Sequence, residues 1–168
     1  LRLNKNHTSK ILERLAEKNL IFQLRRGIWV FNNSTDPLLL ANYLTSPWPA
    51  YISLYTALFY HGIISQIPSN VYAASLSRTK KYKTAFGTFS VHHIPEHLFL
   101  GYETKRPNGL KMASAEKALF DLIYLSNTKL KIFKKLPELE FPPKFSWIKI
   151  RKFCTLIKDR RKRRLMLY

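Results

Sequence analysis

A chain of 168 residues with 29 Lys and Arg against 10 Asp and Glu, a formal charge of +19, can fold only into something that keeps this charge on its surface. Self-repulsion of that size works against compaction, and no fold requires it. The charge therefore points outward to a polyanionic partner, and nucleic acid is the polyanion that such an excess most often serves. Compaction must come from apolar burial instead. Hydrophobic residues make up 46% of the chain and aromatic residues 14%, enough for a core in one domain or two small ones and too much for global disorder. The longest apolar runs, such as 38–41 and 57–60, are too short to span a bilayer, so no membrane partner is expected. No basic flank leads into an apolar run, so no signal peptide is read. Cys154 is the single cysteine, which excludes an intramolecular disulfide and a CxxC metal site. A reducing, cytoplasmic setting fits.

The spacing predicts a short helix over 8–18, where Ile11, Leu12 and Leu15 share a face and Asn6 or Thr8 caps the start. Asn19 tolerates the left-handed turn that ends it. Strand-like runs at 21–24 and 28–31, joined by Arg25-Arg26-Gly27, read as a hairpin. The polar stretch 32–35 is the candidate linker between two domains, 1–33 and 37–168. Asp36 and Pro37 open a helix to about Leu44, Pro47-Trp48-Pro49 breaks it, and Ser53 caps a second helix to about His61, closed by Gly62. Strands are expected at 71–76, 87–94, 98–104 and 110–113, then a helix from Ser114 to about Leu125. A proline-rich stretch, 137–143, leads to one last helix over 146–165. The fold class is α+β.

A helix followed directly by a hairpin with arginines at its tip reads as the second half of a winged helix, whose recognition helix enters the major groove near its start. Asn6, His7, Thr8, Ser9 and Lys10 would then face bases or phosphates, with Arg14 one turn on and Arg25 and Arg26 reaching the flanking DNA. The chain starts at Leu1 rather than Met, so a piece carrying the front half is expected before it.

The stretch Tyr51-Ile52-Ser53-Leu54-Tyr55-x-Ala57-Leu58-x-x-His61-Gly62 resembles a hallmark of the AbiEi antitoxin family of type IV toxin–antitoxin systems. Ala113-Ser114-Ala115-Glu116-Lys117-Ala118-Leu119-x-Asp121-Leu122-x-Tyr124 is similar to that family's second hallmark, with Ala115 where the family has Pro. Arg25-Arg26-Gly27-Ile28-Trp29 resembles its wing. The resemblance implies a bacterial transcriptional autorepressor that binds inverted repeats in its operator DNA. It also implies an antitoxin of an abortive-infection system, countering a co-encoded nucleotidyltransferase-type toxin without a stable complex. Ser53, His61, Ser114, Glu116, Lys117 and Asp121 are the residues it marks for the antitoxin role.

Read by themselves, those residues have plainer uses. Ser114 is a helix cap, Glu116 favours a helix start, Lys117 and Asp121 are spaced to pair, and His61 can meet the last carbonyls of its helix. His93-x-x-Glu96-His97 spells a zinc-peptidase motif, but Pro95 spoils the helix that motif needs. His92 and His93 are expected on opposite faces of a strand. Glu103-x-Lys105 spells the E-x-K of Mg²⁺-dependent nucleases if Asp121 or Glu96 lies near. No Gly-rich phosphate loop or nucleophile motif is present, so neither catalysis, cofactor nor metal is expected. In the last helix Trp147, Ile150, Cys154 and Ile157 form an apolar stripe. Lys149, Arg151, Lys152, Lys158, Arg160, Arg161, Lys162, Arg163 and Arg164 crowd the remaining surface, with only Asp159 against them. That surface is a second candidate for nucleic acid, including RNA.

Overall fold

Asp36 and Pro37 show how directly local chemistry sets the elements. The Asp36 carboxylate accepts the Leu38 N–H at 2.9 Å and Pro37 takes the first helical position, so the helix starts where the free donors are satisfied. The computed structural model describes residues 5–31, 35–105, 108–126 and 138–167, in an α+β fold. The elements run α1 (Lys5–Glu17), β1 (Phe22–Arg25), β2 (Ile28–Val30), α2 (Pro37–Thr45), β3 (Ala50–Ile52), α3 (Leu54–Tyr60), β4 (Val71–Ser75), β5 (Lys80–Thr84), β6 (Gly87–His93), β7 (Tyr102–Lys105), β8 (Leu110–Ala113), α4 (Ala115–Ser126), α5 (Trp147–Thr155) and α6 (Arg160–Leu167).

The hairpin β1–β2 is antiparallel, with Gly27 at φ +81 in its turn. The other six strands form one mixed sheet in the order β5-β6-β4-β3-β8-β7. Alternation along the paired strands sends Tyr51, Tyr72, His92, Tyr102 and Ala113 to one face, and Ile52, Ala73, Phe89, Val91 and Met112 to the other. α3, α4 and α5 cover the first face, as the contacts Tyr55–Tyr72, Tyr51–Asp121 and Phe120–Phe153 show. α2 covers the second and carries the β1–β2 hairpin beside it. Leu24 of β1 is buried in the same apolar core as Leu44, Phe89 and Val91. Phe22 meets Phe86 edge-on at 5.6 Å, so the hairpin packs against the sheet rather than standing apart from it.

Several sequence expectations are corrected. α1 begins by Lys5, so Asn6 and Thr8 lie within it and do not cap it. β3 and β5 are strands that the sequence pattern does not announce. The run expected as a strand over 98–104 starts with a 3-10 turn, Glu96–Leu98, and extends only from Tyr102, after Gly101 at φ +77. The last helix is two helices. α5 ends at Thr155, and Asp159 accepts the N–H groups of Arg161 and Lys162 at 2.8 and 3.1 Å, capping a new start. Asn19 does take the left-handed conformation, at φ +55. The linker residues 32–34 and Pro137 lie outside the described residues.

Candidate functional site

The amino-terminal helix and hairpin display their polar groups unevenly. On α1, His7, Ser9, Lys10 and Arg14 are exposed and Thr8 is half-buried, while the Asn6 side chain lies outside the described residues. Ile11, Leu12 and Leu15 are half-buried. At the hairpin tip only Arg26 reaches outward. Arg25, expected beside it, donates instead to the carbonyls of Leu44 and Ser46 at 3.3 and 2.9 Å, so its guanidinium caps the end of α2. That is a structural clamp between hairpin and helix, made by a half-buried side chain.

The two stretches that resemble family hallmarks meet inside the protein. β3 delivers Tyr51 and the start of α3 delivers Ser53, and both donate to Asp121 of α4, at 3.0 and 2.8 Å. Asp121 also pairs with Lys117, one turn earlier on the same helix, and neither side chain is exposed at all. The Lys117 ammonium lies 4.9 Å from the Phe120 ring centre, 5.7 Å from Tyr51 and 5.8 Å from Phe153. Stacked rings of Tyr51 and Tyr102, 4.8 Å apart, and Phe99 close the same pocket. Burial first, then the charge and hydrogen bond of Asp121, push the Tyr51 hydroxyl well above the usual phenol range. Gly101 leaves the space over Lys117 clear, because a Cβ there would sit 2.9 Å from Phe153 and 3.1 Å from the Lys117 stem. Ser53 is at the cap of α3 yet makes no cap bond, since its hydroxyl serves Asp121.

His61 does not turn to the carbonyls of its own helix, as its position in the sequence suggests. Its Nε2 lies 2.7 Å from the Ala113 carbonyl at the end of β8. Ser114 accepts the Lys117 N–H at 3.2 Å and caps α4 as expected. Glu116, 4% exposed, accepts the Ser146 N–H and the Lys149 ammonium at 3.3 and 3.2 Å, which ties α4 to α5. Burial raises its carboxyl pKa, but hydrogen bonds from its own backbone, Ser114 and Lys149, with the Lys149 charge, hold it below the usual range. Ser53, His61, Glu116 and Asp121 thus latch one element to another, while Ser114 and Lys117 act within α4. Ser53, Lys117 and Asp121 are closed off from any partner.

The basic carboxy-terminal surface divides in a similar way. Arg151, Lys152, Lys158, Arg160, Arg161 and Arg164 are exposed, and Lys149 remains 58% exposed despite its bond to Glu116. Arg163 is turned inward, with both Nε and Nη2 donating to the Ile157 carbonyl in the turn between α5 and α6. The Lys162 ammonium sits 3.7 Å from the Tyr124 ring centre, where burial lowers its pKa against the opposing pull of Asp159. Of the expected stripe, Ile150, Cys154 and Ile157 are buried, while Trp147 is 53% exposed.

The rival chemistries are not assembled. Glu103 pairs opposite Met112 and shares its sheet face, whereas Asp121 lies under Tyr51 on the other. His93, Glu96 and His97 span a strand end and a 3-10 turn rather than a helix. Among the described residues no group of three or more His, Cys, Asp or Glu could hold a metal, and no helix is long and apolar enough to cross a membrane. His92 is buried and His93 exposed, on opposite faces as expected. A cavity of about 200 Å³ opens on the α2 face, lined among others by Leu38, Asn42, Tyr43, Leu110 and Lys111, across the sheet from Lys117. Sequence reasoning misses Tyr51, Gly101 and the clamping roles of Arg25 and Arg163. Only Gly101, a glycine just before a strand, carries a signal that could flag it. No family model and no curated protein matches this chain.

Proposed function

We propose that this protein is a DNA-binding transcriptional autorepressor and the antitoxin of a type IV toxin–antitoxin system. In this reading α1 and the β1–β2 hairpin are the recognition helix and wing of a winged helix, and the remainder counters a nucleotidyltransferase-type toxin encoded alongside. The observation that carries the reading is the display of His7, Ser9, Lys10 and Arg14 on a helix that runs straight into a hairpin tipped by exposed Arg26. That set supplies hydrogen-bonding groups at a helix start and phosphate-binding cations beside it. The antitoxin half rests on the resemblance of the stretches around Ser53–His61 and Ser114–Asp121, and their mutual contact supports treating them as one unit. The acting surface must then be the exposed shell around this unit, because Ser53, Lys117 and Asp121 are enclosed.

The test is a mobility-shift titration on the inverted repeats of the protein's own promoter. Lys10→Ala with Arg26→Ala should weaken binding and lower the log–log salt slope by about 0.9 for each phosphate that is no longer neutralised. An unchanged slope rejects the wing and recognition-helix assignment. The same double variant should still rescue growth when the toxin is expressed, since neither residue touches the Ser53–Asp121 unit. Failure of a folded variant to rescue would reject the separation of the two roles.

A further inference from the structure

The strap and first turn before the basic helices carry three aromatic rings that pack on one another; Phe145, half-buried, also packs against the core and anchors the cluster, while Phe141 and Trp147 stay exposed. Phe141 and Phe145 have ring centres 4.7 Å apart, Phe141 and Trp147 4.9 Å, and Phe145 and Trp147 5.1 Å. Trp147 is 53% exposed, Phe141 39% and the neighbouring Ile148 68%. The strap is pinned where the Glu140 N–H donates to the Ile63 carbonyl at 2.9 Å, and the Phe145 N–H donates to Pro142 at 2.9 Å. The rings are therefore held in place rather than trailing. Helical spacing puts Arg151 one turn beyond Trp147, and Lys152 one turn beyond Ile148. Lys144 is exposed between two of the rings in sequence. From residue 141 onward the sequence has ten Lys and Arg and one acid, Asp159, whose carboxylate already caps α6, and Lys149 is paired with Glu116.

Anchored aromatic rings with exposed faces, followed along the chain by exposed cations, form the combination that binds an unpaired nucleic-acid strand. Bases stack on rings whatever their sequence, and the backbone follows the charge. A duplex has no free base faces to offer and would leave the rings unused. A second copy of this chain would bring the same positive charge to the contact. An anionic membrane would need the apolar face of α5, but Ile150, Cys154 and Ile157 are already buried in the core. We infer that Phe141, Phe145 and Trp147, with Lys144, Arg151 and Lys152, form a binding site for single-stranded nucleic acid. The site is distinct from the amino-terminal helix and hairpin, and it does not rest on the operator reading.

The experiment uses the full chain with fluorescent oligouridine and oligothymidine of about a dozen nucleotides, and an unrelated blunt duplex. Trp147→Leu keeps the apolar bulk and removes the ring, and should weaken single-strand binding about tenfold, the loss expected of one stacked base. Duplex binding should stay within about twofold, and Trp48→Leu, at an equally exposed tryptophan elsewhere, should change neither. A loss confined to one oligonucleotide identifies RNA or DNA as the strand bound, and equal losses identify a site blind to the sugar. Unchanged single-strand affinity overturns the proposal. So does an equal fall for single strand and duplex, or a loss seen only with phosphatidylserine vesicles or in self-association. Should Trp147→Leu fail to fold, a Trp29→Phe/Trp48→Phe protein retains Trp147 as its only indole. Saturating oligouridine should quench its emission, and no quenching overturns the proposal equally.

Discussion

Lys117 and Asp121 form a fully buried ion pair inside a ring of aromatic side chains, and such pairs specify more than they stabilise. Taking both charges out of water costs nearly what their attraction returns, but removing one partner strands the other. Asp121→Ala should therefore cost about 3–5 kcal/mol in urea unfolding, leaving the ammonium of Lys117 and the hydroxyls of Tyr51 and Ser53 without their acceptor. Lys117→Met combined with Asp121→Leu should cost markedly less than the two single changes added together, and strict additivity would show that the pair is not coupled. Leu54, buried at φ +55 directly after Ser53, adds local strain that this network must hold. A second residue makes stability depend on pH. His92 is buried, its Nε2 lies 2.9 Å from the Ser90 hydroxyl, its ring stacks 6.1 Å from Tyr72, and burial pushes its pKa down to about 4 from 6.5. Between those values the unfolded chain binds the proton and the folded chain does not, so stability rises with pH across the window. The contribution is fully present above pH 6.5 and is lost as pH falls toward 4, by roughly 3 kcal/mol in all. Unfolding titrations over that range should show the slope in the native protein and a flatter one in His92→Asn, and identical slopes would remove His92 as the source.

At the scale of elements, the junction between α5 and α6 shows why some cations belong to the fold. Arg163 reaches back across Asp159 to the Ile157 carbonyl, satisfying an acceptor in the turn between α5 and α6. Arg163→Gln should cost about 1.5–3 kcal/mol, the loss of a charged hydrogen bond. The triple change Arg160→Gln, Arg161→Gln and Arg164→Gln should not lower the melting temperature. Equal melts for both variants would put Arg163 back on the open surface. The sequence pattern carries no hint of this difference, because neighbouring arginines are chemically the same and only the break before α6 separates them. Asp159 is the available signal for that break, but the apolar spacing from Ile150 to Ile157 runs smoothly up to it and reads as one helix. β5 is hidden for a related reason. Lys80-Lys81-Tyr82-Lys83-Thr84 has no apolar alternation, since an edge strand protected by lysines buries little. β3 is hidden because three residues between a proline pair and a helix cap are too short to show a period. Where a cap, a breaker and a period agree, as at Asp36-Pro37, at Ser114 and at 87–93, elements are legible to within about two residues. The candidate site is legible as residue types and not as roles. Spacing pairs Lys117 with Asp121, but nothing local could show that Tyr51 and Ser53, some seventy residues away, complete the acceptor set.

Over the whole molecule the charge and the core make opposite demands on salt. The exposed cations repel one another, and the repulsion weakens as the Debye length falls from about 10 Å at 0.1 M salt to about 3 Å at 1 M. The buried Lys117–Asp121 pair is sheltered from ions, and the only other described ion pair, Lys149 with Glu116, has its acid 6% exposed, so added salt has little attraction to screen away. The protein should therefore become more stable with added NaCl, whereas its affinity for any nucleic acid should fall steeply over the same range as counterion release loses its advantage. Calorimetric melting temperature and oligonucleotide affinity should move in opposite directions in one salt series. The Arg160→Gln, Arg161→Gln and Arg164→Gln protein, three charges lower, separates the two effects further. Its melting temperature should start higher at low salt and rise less with NaCl, and its affinity should depend on salt with a shallower slope. A melting temperature that falls with salt would mean that attractive surface pairs outweigh repulsion in the folded state. The net charge of +19 would then be part of what holds the fold together, rather than a load the core carries for the sake of a polyanion.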